Sequence, residues 1–79
     1  MSIKTRLVAV LWEDSAGPTR YWEQQVTTAM VLSVGHLIRR SKREVVLALS
    51  KATDGDFGGS FAIPIGCVRK IRRISWGKI

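Results

Sequence analysis

Few side chains in this chain could carry out a reaction. Its one imidazole, His36, and its one thiol, Cys67, are the sole nucleophile and base pair it can assemble, and covalent catalysis needs such a pair within hydrogen-bond reach. The two fall in different predicted strands. There a histidine lining a core or rim and a cysteine filling a small apolar space are the simpler readings. A single His and a single Cys do not make a zinc site without carboxylates crowding in. The acids, Glu13, Asp14, Glu23, Glu44, Asp54 and Asp56, sit mostly in predicted turns, where carboxylates cap and solvate rather than work as catalytic pairs. The stretch "DGDFGG" at 54–59 is too poor in carboxylates for a calcium loop and lacks the lysine of a phosphate-cradling loop. The inventory predicts a protein that is not an enzyme and needs no cofactor or metal.

Charge carries more information. Thirteen Lys and Arg stand against six acids, a formal net charge of +7. Nine of the thirteen fall in two clusters: Arg39, Arg40, Lys42 and Arg43, then Arg69, Lys70, Arg72, Arg73 and Lys78, with no acid from residue 57 onward. Such asymmetry attracts polyanions, and the preponderance of arginine favours bidentate phosphate contacts. Trp76, Tyr21 or Trp22, if exposed near those arginines, could stack on bases. The bland alternative is a solvated strand face, since Lys and Arg also protect sheet edges, with Trp12 and Trp22 in the core. The candidate anion-binding set is therefore Arg39, Arg40, Lys42, Arg43, Arg69, Lys70, Arg72, Arg73 and Trp76. A basic chain is the reverse of a DNA mimic, so mimicry is disfavoured.

The elements that would position these groups follow from periodicity. Lys4 to Trp12 alternates Thr5, Leu7, Ala9 and Leu11 against Arg6, Val8, Val10 and Trp12, a first strand broken by the turn-forming "EDSAGP". "MVLSVGHLIRR" (30–40) and Val45 to Ala52 read as a hairpin tipped by Arg40, Ser41, Lys42 and Arg43, with Val45, Leu47 and Leu49 facing the core and Gly35 marking a bulge or bend. Asp54-Gly55 and Gly58-Gly59 supply turn chemistry, and a short strand Phe61 to Ile65 follows. Val68, Ile71 and Ile74 recur every third residue, which fits a helical turn or a bulged strand. The reading is one tight turn near Gly66 to Val68, then a last strand from Arg69 to Ser75, with its isoleucines inward and its arginines outward. Between Tyr21 and Met30, four-residue spacing of Trp22, Val26 and Met30 would suit a short helix. The β-branched run Val26, Thr27 and Thr28 favours loop and then strand.

Five short strands in one domain spanning residues 1–79 predict a mainly all-β fold, a small five-stranded antiparallel SH3-like or Sm-like barrel with room for one short helix or 3-10 turn. A core this small, without disulfide or metal, predicts a homo-oligomer. The longest apolar stretch, Val26 to Ile38, is interrupted by Thr27, Thr28, Ser33, Gly35 and His36 and falls short of a membrane span. The N-terminus lacks a signal-peptide pattern, and the lone cysteine suits a reducing compartment, so the expected location is cytoplasmic, with no membrane partner.

The order "VLWEDS", "SVGHLIRR", "VVLALS" and "AIPIGCVRKIRRI" resembles small uncharacterised proteins of bacteriophages and prophages. The resemblance rests on Trp12, Asp14, Val34, Gly35, Leu37, Leu47, Ala48, Ile63, Pro64, Gly66, Val68 and Ile71. It spans roughly Val10 to Ile74 and departs at His36, where an aromatic Trp is commoner. The resemblance implies a phage-encoded module acting in the host cytoplasm. Two functions follow as expectations: a binding module whose basic surface takes nucleic acid or an acidic protein surface, or a phage accessory protein that binds and modulates a host protein.

Overall fold

The computed structural model describes residues 3–16 and 27–75. In chain order these form β1 (Leu7–Ala16), β2 (Thr27–Arg40), β3 (Glu44–Lys51), β4 (Phe57–Pro64), a 3-10 turn (Ile65–Cys67) and β5 (Val68–Ile74). All five strands belong to one sheet, in the order β4-β3-β2-β1-β5, and every neighbouring pair is antiparallel. No helix among the described residues is long and apolar enough to cross a membrane.

Alternation along β1 decides which side is the core. Val8 and Val10 are buried, as are Val45 and Leu47 of β3 and Ile63 of β4, and Trp12, Leu37, Ile65, Cys67, Val68 and Ile71 pack around them. Each of these buried aliphatic side chains contributes about 1.5–3 kcal/mol. The inner face thus gathers side chains from all five strands, with Leu37 the contribution of β2. Leu7, Ala9 and Leu11 have the opposite parity and share the outer face with their β2 partners His36, Val34 and Leu32.

Several boundaries differ from expectation. β1 does not stop at Trp12: Glu13, Asp14, Ser15 and Ala16 continue the ladder opposite Met30, Ala29, Thr28 and Thr27. Backbone pairing with the long β2 outweighs the turn preference of Asp14 and Ser15. Thr27 to Met30 are extended, in keeping with their β-branched start, and the rest of the proposed helix from Tyr21 lies outside the described residues. β4 begins at Phe57, so Gly58 and Gly59 lie within a strand, while Gly55, with φ of 95°, supplies the turn. Leu49, expected in the core, is 73% exposed. The cause is that β3 parts from β2 after Ala48, its partner being His36, and continues paired to β4 alone.

Gly35 is a point of close approach. A Cβ there would lie 2.8 Å from the Ala48 carbonyl oxygen and 3.3 Å from the Leu47 Cβ. The register shift between β2 and β3 lies further along, between Leu37 and Arg39, so the bulge expected at Gly35 is not at that residue. The sheet is not closed into the expected barrel. β4 and β5 are not paired with each other in the sheet, because the turn at Ile65–Cys67 redirects the chain away from β4 and sends β5 back to β1.

Candidate functional site: a cationic crevice

Arg6 has the parity of Val8 and Val10 but sits just before the ladder begins, at the end of the inner face, where the core runs out. Its carbonyl accepts a hydrogen bond from the Leu37 amide at 2.7 Å, which fixes the two residues opposite each other. Arg73 stands opposite Val8 on β5. Arg6, Arg40 and Arg73 therefore converge around Val8, Leu37 and Ile71 in a concavity of about 240 Å³. The same three arginines and Leu37 also line a crevice of about 810 Å³, whose lining adds Lys4, Arg39 and Lys51 and includes no acid. Val8, Leu37 and Ile71 make the smaller concavity partly apolar, and cations dominate the wider crevice; clefts of one sign focus the field and concentrate counter-ions.

Two of these cations are already engaged. Arg39 makes an ion pair with Glu44 at 2.7 Å. The Lys51 ammonium donates to the Lys4 carbonyl and stands 5.0 Å from the centre of the Phe57 ring, which ties the segment before β1 to the distal half of the β3–β4 hairpin.

The expected basic set divides. Arg39, Arg40 and Arg73 line the crevice. Lys42 and Arg43 are exposed in the hairpin turn, where the Ser41 hydroxyl accepts from the Arg43 and Glu44 amides at 3.2 Å. The Arg69 guanidinium donates to the Gly66 carbonyl at 2.8 Å and to Glu13 at 3.0 Å. Lys70 and Arg72 stand opposite Leu11 and Ala9, on the outer face. Trp76 lies outside the described residues, as do Tyr21 and Trp22.

The cations of β5 thus do not share one surface. A register shift between Leu11 and Trp12 places a bulge at Arg69, which keeps Val68 and Ile71 on the inner face although they are three residues apart. Beyond the bulge plain alternation resumes. Arg73 follows Ile71 inward, and Ile74, expected inside, pairs with Leu7 on the outer face. Lys4, Arg6 and Lys51 were not singled out from the sequence. The signal for Arg6 was present in the alternation of β1, where it shares the phase of the buried valines.

His36 and Cys67 are on different sides of the sheet. The His36 Nδ1 is 2.6 Å from the Thr5 hydroxyl, and Cys67 packs against the core. No family model matches this chain, and no curated protein or solved structure matches it either.

Proposed function

We propose that this protein is a non-catalytic binding module that holds a polyanion, a nucleic-acid backbone, in the crevice between Arg6, Arg40 and Arg73. One observation carries the reading: six cations from the segment before β1, from β2, from β3 and from β5 line a single concavity with no acidic residue among them. Arginine suits the task because its planar fork meets two phosphate oxygens at once. Contacts of this kind read charge and backbone spacing, so sequence preference is slight. The strand order, with a 3-10 turn leading into the last strand, supports reading the sheet as an open relative of SH3-like or Sm-like barrels, a likeness of architecture that says nothing about activity. The phage resemblance of the sequence supports a setting in the host cytoplasm.

The test is binding of labelled oligonucleotides, single-stranded and duplex, followed by fluorescence anisotropy across a salt series. Log affinity should fall linearly with log salt. Arg6→Gln, Arg40→Gln and Arg73→Gln combined should lower the salt slope by about three units, one for each phosphate contact, without loss of the far-ultraviolet β signature. Absence of binding at about 50 mM salt, where such contacts are strong, would exclude the reading and leave a protein partner as the leading alternative.

A further inference from the structure

The part of β2 before its pairing with β3 lies away from the crevice. Because Leu37 donates to Arg6, and opposite residues in an antiparallel ladder alternate between bonded and non-bonded pairs, the odd residues of β2 direct their backbone groups toward β1. The even residues direct theirs the other way. His36 meets Ala48 of β3 there, but β3 pairs with β2 only from His36 onward. Thr28, Met30, Leu32 and Val34 therefore form an open edge with no paired strand among the described residues.

The other edges of the sheet carry protection against stray pairing. β5 bears Arg69, Lys70, Arg72 and Arg73. β4 contains Gly59 at φ 66° and ends in Pro64. β1 beyond its pairing with β5 carries Glu13 and Asp14. Charges, proline and irregular backbone are the usual devices that keep edge strands from joining. The stretch 27–35, "TTAMVLSVG", has none of them. Its even side chains also form an exposed apolar row: Met30 is 54% exposed, Leu32 66% and Val34 53%.

We propose that this edge is an interface between two copies of the chain, with β2 pairing antiparallel to β2 about a two-fold axis at Val31. The occupant is identified by self-complementarity. In that register Thr28 meets Val34 of the second copy and Met30 meets its Leu32, so every open backbone group in the stretch finds its counterpart. The exposed apolar side chains become cross-strand neighbours on one face. Charge points the same way: two chains of net charge +7 can approach closely only through a neutral surface, and this edge offers no charged group for an unlike partner to read. The pairing is isologous, so it closes at a dimer.

Val31 would face its own copy in a non-bonded pair, with Cα atoms about 4.5 Å apart, inside the range of about 4.4–6.8 Å that a disulfide spans. In a chain carrying Cys67→Ser, the Val31→Cys variant should oxidise to a covalent dimer. Val34→Cys in the same background should not, since the two positions would lie about 20 Å apart along the ladder at 3.4 Å per residue. Sedimentation of the wild type should show a dimer, and Leu32→Lys should yield a monomer with an unchanged circular dichroism spectrum. A wild type that sediments as a monomer at high concentration overturns the proposal. So does a dimer that survives Leu32→Lys, or equal cross-linking at 31 and 34.

Discussion

Arg73 stands directly opposite Val8 in the β1–β5 ladder, so its side chain leaves the sheet on the side of the hydrophobic core, while Arg72, opposite Ala9, leaves on the other. Two adjacent arginines of one strand thus serve different surfaces. Arg73→Gln should weaken oligonucleotide binding and lower the salt slope by about one unit. Arg72→Gln should leave the slope unchanged. Equal effects from the two, measured by anisotropy across a salt series, would show that the anion is not confined to the crevice.

The ion pair between Arg39 and Glu44 is exposed, and exposed pairs contribute about 0.2–1 kcal/mol. Its functional effect should be larger than its structural one, because Glu44 occupies a guanidinium of the crevice wall. Glu44→Gln should therefore tighten oligonucleotide binding at low salt, and the gain should shrink as salt rises. A thermal midpoint within a few degrees of wild type is expected alongside.

Gly35 tolerates no side chain without movement, since the obstructing atom is the backbone oxygen of Ala48. Gly35→Ala should destabilise the fold by about 1–3 kcal/mol, the usual range for overpacking. For a domain of this size that lowers the midpoint by roughly 4–8 °C per kcal/mol. Unfolding in urea with an unchanged slope would show that the loss is in stability alone.

Leu47 and Leu49 are two residues apart on β3 and behave as different residue classes. Leu47 is fully buried, and Leu47→Ala should cost about 2–5 kcal/mol. Leu49 lies where β3 has left β2, and Leu49→Ala should fall within about 0.5 kcal/mol of wild type. The pair of measurements reports where the core ends.

Much of the architecture was legible locally. β1, β2 and β3 announced themselves by alternation and by the hairpin tip at Ser41, and the turn before β5 by Pro64 and Gly66. What escaped depended on partners distant in the chain. That β1 would run on to Ala16 depended on the length of β2, and the exposure of Leu49 on where β3 separates from it. The candidate site shows the same division. Arg39, Arg40 and Arg73 were found from charge clustering, but Arg6 and Lys51 join them only through register and through the fold of the hairpin. Arg69 and Arg72 leave the set because a one-residue bulge re-phases β5; the three-residue apolar spacing admitted a bulge but did not fix its position.

The strand order has a consequence for how the chain comes to be folded. β1 lies between β2 and β5, and its buried valines pack against side chains drawn from β3 and β4. During synthesis the first strand must therefore wait for the last before its inner face is covered, and no early fragment contains a complete core. Loop closure over most of the chain precedes its reward, which places such a domain among folders of milliseconds to seconds. While the last strand is still to be made, the uncharged edge around Val31 is exposed on the ribosome-bound chain, where neighbouring nascent chains on one message would present the same sequence to it.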